Sequence, residues 1–143
     1  MGYNPMTESE WWAFLVAAPR PAILSTTRAD GRPHAAPIWI DVEDGAIVFN
    51  TGSDTVKGRN IGRDPRVSIV VQDDRPPFSF VLVEGTAEVS DDLDDVVAVA
   101  TRIGGRYMGQ DQAEAFGRRN GVPGELAVRV RPTKVVSARD VAD

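Results

Sequence analysis

Apolar positions change period along this chain, and each change marks an element. Trp11, Phe14, Leu15 and Ala18 recur at i, i+3, i+4 and i+7, the stripe of an amphipathic helix. Thr7-Glu8-Ser9-Glu10 ahead of it is a capping box, and Met6 is placed to staple onto Trp11. Pro19 and Pro21 end the helix. The period then drops to two. Ala22–Thr27 reads as a strand, Asp30-Gly31 as a turn, and Pro33–Val42 as a second strand. Glu43-Asp44-Gly45 turns the chain into a third strand, Ala46–Thr51.

Asp54 or Thr55 caps a short helix running to about Arg63, before Asp64-Pro65. Arg66–Gln72 is a fourth strand, with Val67, Ile69 and Val71 on one face. The loop Asp73–Pro77 leads to a long strand, Phe78–Ser90, whose run Phe80-Val81-Leu82-Val83 predicts burial on both faces. Asp91–Arg106 is helical, with Leu93, Val96, Val97, Ala100 and Ile103 on one side, and Asp111–Arg119 is a shorter helix. Leu126, Val128 and Val130 alternate with polar neighbours in a sixth strand that Pro132 ends or bends. Consecutive strands joined by tight turns exclude a parallel βαβ sheet. The fold class is α+β, mainly β: an antiparallel six-stranded barrel with flanking helices, formed by residues 1–143 as a single domain.

Composition narrows the chemistry. The 143 residues include no cysteine and one histidine, so thiolate metal sites, disulfides and cysteine nucleophiles are excluded, and no metal site is expected. A net charge of −5 disfavours binding to phosphate backbones, so no nucleic-acid partner is expected. No apolar run approaches the ~18 residues of a membrane span. Met1-Gly2-Tyr3-Asn4-Pro5-Met6 lacks the basic start and apolar stretch of a signal peptide, and Met6 stands where myristoylation wants Ser or Thr. A cytoplasmic protein without membrane contact is expected.

Glycine-rich phosphate loops, nucleophile elbows and zinc-protease motifs are all missing. Asp91-Asp92-Leu93-Asp94-Asp95 reads as a helix first turn complementing the dipole rather than a cation site. The segment Asn50-Thr51-Gly52-Ser53-Asp54-Thr55-Val56-Lys57-Gly58-Arg59 carries more information. A strand ends in hydroxyls and an amide, turns through glycine, and enters a helix bearing Lys57 and Arg59. That is either a phosphate site or a capped helix with solvated bases. Pro33-His34-Ala35-Ala36-Pro37-Ile38-Trp39 is a strand of small residues interrupted by proline, open to close approach by a flat ligand. Trp39 lines a ring pocket or joins the core. His34 and Tyr107 are proton donors by chemistry alone, and no catalytic residue is assigned.

Four features together resemble the pyridoxamine 5'-phosphate oxidase-like FMN-binding split-barrel family, and within it the small actinobacterial branch that uses the deazaflavin coenzyme F420. They are an N-terminal helix followed by the strand ending Leu24-Ser25-Thr26-Thr27, the hairpin Asp30-Gly31-Arg32-Pro33 followed by Pro37-Ile38-Trp39, the segment Lys57-x-Arg59-Asn60-Ile61-x-x-Asp64-Pro65-Arg66-Val67, and the strand ending Val83-Glu84-Gly85-Thr86-Ala87. The resemblance spans most of residues 8–137. It implies a split-barrel homodimer with two cofactor sites between subunits. Asn50, Thr51, Ser53, Thr55 and Lys57 would surround the cofactor phosphate, with Arg59 nearby or reaching the tail. His34, Ala35, Ala36, Pro37, Ile38 and Trp39 would contact the ring, and Phe78 would approach it from the partner subunit. FMN-binding members often carry more arginines around the phosphate than this segment has, which favours F420 over the alternative, FMN.

The expected activity is that of an F420-dependent oxidoreductase, moving a hydride between reduced cofactor and a conjugated small-molecule acceptor such as an enone, quinone or tetrapyrrole-like compound. Hydride chemistry belongs to the cofactor, so a chain poor in reactive side chains is no obstacle, and solvent can supply the proton. The alternatives are an FMN-dependent oxidoreductase on the same barrel and a non-catalytic binder of cofactor or tetrapyrrole.

Overall fold

The computed structural model describes residues 4–143, so the Met1-Gly2-Tyr3 part of the targeting-signal reading lies outside the described residues. In chain order the elements are α1 (Glu8–Val16), β1 (Ala22–Thr27), β2 (Pro33–Ile38), β3 (Asp41–Glu43), β4 (Ala46–Gly52), α2 (Val56–Arg63), β5 (Arg66–Gln72), β6 (Phe80–Ser90), α3 (Leu93–Met108), a 3-10 turn (Gln110–Gln112), α4 (Ala113–Asn120) and β7 (Glu125–Ala138). All strands join one antiparallel sheet in the order β2-β1-β5-β6-β7-β4-β3. The two edge strands, β2 and β3, are consecutive in the chain and separated by Trp39 and Ile40 alone. The three chain steps from Ile38 to Asp41 span only about 10 Å, so the sheet has to curl until its edges approach. The result is a barrel split along one seam.

This corrects the expectation of six strands. The segment Pro33–Val42 is not one strand but two on opposite edges, giving seven. The cause lies at Ile40. Its N–H donates to the Tyr107 hydroxyl (3.1 Å) and its carbonyl accepts from Arg106 Nε (3.1 Å), so side chains of α3 replace a strand neighbour.

Inside the barrel, Leu24, Ile40, Ile47, Phe49, Ile69, Val81 and Val83 are fully buried, and Leu15 of α1 enters the same core. The capping box of α1 forms as expected from Thr7 and Glu10. A second, smaller core holds Val48, Val96, Val99, Ile103 and Ala127, where α3 packs on the outside of β4 and β7. The strand buried on both faces is therefore β4, Ala46–Phe49, and not the Phe80–Val83 run. In β6 burial alternates: Val81 and Val83 point inward, while Phe80 and Leu82 remain half-exposed.

β7 passes through Pro132 instead of stopping there. Gly85 faces Pro132 while Glu84 faces Lys134, so Thr133 is the extra residue of a bulge that accommodates the missing proline N–H. A β-carbon on Gly85 would lie 2.5 Å from the Arg131 carbonyl oxygen, so only glycine fits opposite that bend.

Six charged side chains tie α3 to the barrel. Arg129 on β7 bonds both Asp95 of α3 and Glu43 of β3, Arg102 bonds Glu43 at 2.8 Å, and Asp41 lies within 4.0 Å of Arg102 and Arg106.

Candidate functional site

The segment Asn50–Arg59 is held by bonds that its two threonines make within it. Thr55 is the N-cap of α2: its hydroxyl accepts from the Gly58 N–H (3.0 Å), donates to the Gly52 carbonyl (2.8 Å) and lies 3.0 Å from the Thr51 hydroxyl. Thr51 is buried. The strand end and helix start are pressed together so closely that a β-carbon on Gly58 would meet the Gly52 oxygen at 2.1 Å. Thr51 and Thr55 thus shape the turn, and Ser53 stands exposed beside them, its N–H bonded to the Gly124 carbonyl (2.8 Å). The N–H groups of Val56 and Lys57 lie in the first turn, where a helix has no internal acceptors to offer.

Lys57 projects from this turn into a cleft of about 310 Å3, lined by Pro37, Ile38, Trp39, Asn50, Lys57, Ile103, Phe116, Arg119 and Asn120. One wall is aromatic. Trp39 stacks on Tyr107 with ring centroids 4.9 Å apart and planes 4° from parallel, and Phe116 tilts against it at 5.9 Å. Trp39 keeps 36% of its surface exposed. The Tyr107 hydroxyl donates to the Arg20 carbonyl (2.7 Å) while accepting from Ile40, so its proton is engaged in holding the stack. Lys57 and Arg119 both line the cleft, the Arg119 guanidinium over the Phe116 ring at 5.5 Å, and no carboxylate does. Glu125 acts on Lys57 from just outside. Burial raises the Glu125 carboxyl above its ordinary value, opposed by Lys57 and reinforced by Asp54.

The structure brings together Pro37, Ile38, Trp39, Asn50 and Lys57, read from two separate stretches of sequence. It does not bring the remaining expected residues to that cleft. His34, Ala35 and Ala36 lie on β2 short of it, and His34 has a buried Nδ1 without a partner among the described residues. Phe78 sits on the β5–β6 loop with φ 66°. Arg59 occupies a different face of α2, with Val56, Asn60 and Arg63, because those positions are three and four residues apart while Lys57 lies between them. Ile103, Phe116, Arg119 and Asn120 were not identified as site residues in the sequence. The spacing Phe116-x-x-Arg119-Asn120 places all three on one helix face, but nothing in it says where that face docks.

An anionic, ring-bearing cofactor fits this set: an ammonium, a guanidinium and two amides share the cleft with Trp39 and Phe116. The volume is near the lower limit of about 300 Å3 for ligand pockets, and the cleft is open, as expected of a site finished by another surface.

A curled antiparallel sheet split at one seam, with a glycine turn and a helix start after β4, defines the class as a split-barrel protein. The model for pyridoxamine 5'-phosphate oxidase matches residues 9–137, and the chain belongs to that family. It is similar to the conserved hypothetical protein Rv2991 from Mycobacterium tuberculosis, at 26% identity and TM-score 0.84, covering 98% of this chain and 89% of that one. It also resembles an F420 reductase (24% identity, TM-score 0.69, 95% and 97% covered) and a FAD-binding protein from Mesorhizobium loti (18%, 0.70, 96% and 97%). Among the described residues no helix is long and apolar enough to cross a membrane, and no group of His, Asp and Glu is placed to hold a metal ion.

Proposed function

We propose that this protein is an F420-dependent oxidoreductase acting on a conjugated small molecule in the cytoplasm. The observation that carries the reading is the cleft itself, which gathers Lys57 and Arg119 with Trp39 and Phe116 and contains no carboxylate. The likeness to an F420 reductase supports it. When bound, the deazaflavin supplies the hydride chemistry. The chain's own part is to hold the phosphate with Lys57, Asn50 and the first-turn N–H groups of α2, to orient the ring along β2 and Trp39, and to exclude water. Enones, quinones and tetrapyrrole-like compounds are the acceptor classes, with solvent providing the proton.

The site is completed in a homodimer. Pro37, Ile23, Val70, Leu82 and Val136 stand opposite one another in register across five adjacent strands, an outward row of apolar side chains. Ile23 and Val136 are 38% and 40% exposed. A second copy of this chain is the occupant that such a self-complementary sheet face fits. The Phe80–Val83 run would then be buried on both faces, one inside the barrel and one against the partner. Light scattering tests this: the native chain runs as a dimer and Leu82→Asp as a folded monomer, whereas a native monomer refutes it.

Titration with each cofactor decides the central claim. Micromolar binding of F420, with FMN much weaker, is expected, and reduced F420 is then oxidised when an acceptor is added. Tight FMN binding with no F420 binding overturns the proposal in favour of a flavin enzyme. F420 binding without acceptor-dependent oxidation across an enone and quinone panel marks a carrier instead.

A further inference from the structure

A second ligand site lies on the other side of α2. Arg28, Arg32, Arg59 and Arg63 converge with Ala29, Asp30, Val56 and Asn60 around a groove of about 310 Å3 between the β1–β2 turn and the helix. Ten of the fourteen arginines form ion pairs within 4.0 Å among the described residues. The four that do not are Arg28, Arg59, Arg63 and Arg119. Three of them meet in this groove, and the fourth lines the Lys57 cleft. In a chain of net charge −5, carboxylates are plentiful enough to match nearly every arginine, so a cluster left unmatched stands out.

The groove's one carboxylate bonds Arg32 and feels the charge of Arg28 more weakly. Asp30 accepts from the Arg32 N–H (3.1 Å) and from Arg32 Nε (2.7 Å), and those two bonds, the backbone one first, hold its carboxyl below the ordinary value. Arg63 is fixed from behind. Its Nη2 donates to the Thr27 carbonyl (2.8 Å) and to Asn60 Oδ1 (2.9 Å), and the buried Asn60 amide donates in turn to the Thr26 hydroxyl (3.0 Å). A guanidinium anchored through a buried amide has lost its rotamer freedom before any ligand arrives. Arg28 and Arg59 line the same groove, and neither has an ion-pair partner among the described residues.

We propose that this groove binds a small oligoanion, a molecule with two or more phosphate or carboxylate groups, independently of the Lys57 cleft. Guanidinium forks pair with either group in a bidentate fashion, and several forks around a short groove match several anionic groups better than one. The acidic remainder of the surface repels a nucleic-acid backbone, which restricts the ligand to something the groove can contain.

Calorimetric titration at low salt tests this with three probes: inorganic tripolyphosphate, citrate and inorganic phosphate. Either tripolyphosphate or citrate is expected to bind at least about tenfold more tightly than phosphate, with the tighter one identifying the anionic group. Arg28→Ser/Arg59→Gln weakens that binding by at least about tenfold while its unliganded melting temperature stays within about 2 °C of the parent. Arg28→Lys/Arg59→Lys, which keeps charge but loses the forks, falls between. Lys57→Ala changes it by less than about twofold. The proposal fails if phosphate binds as well as the oligoanions, if the Ser/Gln variant binds them unchanged, if Lys57→Ala abolishes binding, or if a DNA duplex binds more tightly than both.

Discussion

Replacing Arg129 with methionine tests whether the ion-pair network holds α3, and with it Tyr107 and the aromatic wall, against the barrel. Arg129 donates from Nη1 and Nη2 to the two Asp95 oxygens at 2.8 Å each, and from Nη2 and Nε to Glu43 Oε1 at 3.0 and 3.3 Å. The three side chains are 20%, 26% and 25% exposed, neither fully buried nor freely solvated. Removing one partner of a buried pair costs about 3–5 kcal/mol, and an exposed pair is worth about 0–1 kcal/mol. Arg102 still holds the other Glu43 oxygen at 2.8 Å, so the expected loss lies between those limits, about 2 kcal/mol or a melting point ~6 °C lower.

The pH dependence separates charge from packing. The Arg129 hydrogen bonds hold the Asp95 carboxyl below its ordinary 3.8. Burial pushes Glu43 upward, but bonds from Arg129 and Arg102 outweigh it and leave Glu43 below its ordinary 4.5. A carboxyl with a depressed folded value adds stability above its unfolded value and loses it as pH falls through the folded one. The gap between parent and Arg129→Met is therefore widest near neutrality and narrows below about pH 4. Urea unfolding at about pH 7 and pH 3.5 measures both gaps. An equal gap at the two pH values would refute the ionic account, and no gap at neutrality would refute any role for the network.

Lys57→Ala should weaken cofactor binding by about 1.5–3 kcal/mol, the scale of a hydrogen bond to a charged group, and fluorescence titration showing unchanged affinity would mean the ammonium is merely solvated. Burial holds Glu125 above its ordinary value, and once ionised it repels an anion at Lys57. Cofactor binding should accordingly tighten as pH falls through that ionisation, and Glu125→Gln should bind more tightly above it and lose the pH dependence. The sign for stability is the same, since ionisation of a carboxyl with a raised folded value destabilises the fold as pH rises. Trp39→Ala should cost about 0.5–1.5 kcal/mol in stacking beyond its lost area and shift acceptor preference in steady-state kinetics; failure to fold would instead make Trp39 a core residue.

Elements with strict local signals were legible one by one. Thr7 and Glu10 form their capping box, Val67, Ile69 and Val71 turn inward along β5, and Asp44-Gly45 closes its hairpin with both residues at positive φ. Periodicity could not show that Pro33–Val42 breaks at Trp39-Ile40. The break depends on Tyr107 and Arg106, more than 60 residues away, satisfying the Ile40 backbone. The double burial of β4 was hidden for the same reason, since Val48 is covered only because α3 docks outside it.

Asn50 and Lys57 were marked by local chemistry, a strand ending in polar side chains, a glycine turn and a helix start, and Trp39 by the proline-interrupted strand before it. Phe116, Arg119 and Asn120 were not, because a surface helix shows which residues share a face but not what that face meets. Lys57 and Arg59, two residues apart, read as one basic cluster; helical geometry sends them to different clefts. By itself the sequence determined most strands, the hairpin turns and the helix caps, and pointed to a chemistry that asks little of reactive side chains. The tertiary structure alone decided how the sheet closes and which distant side chains share a wall, because those follow from long-range packing that no local period encodes.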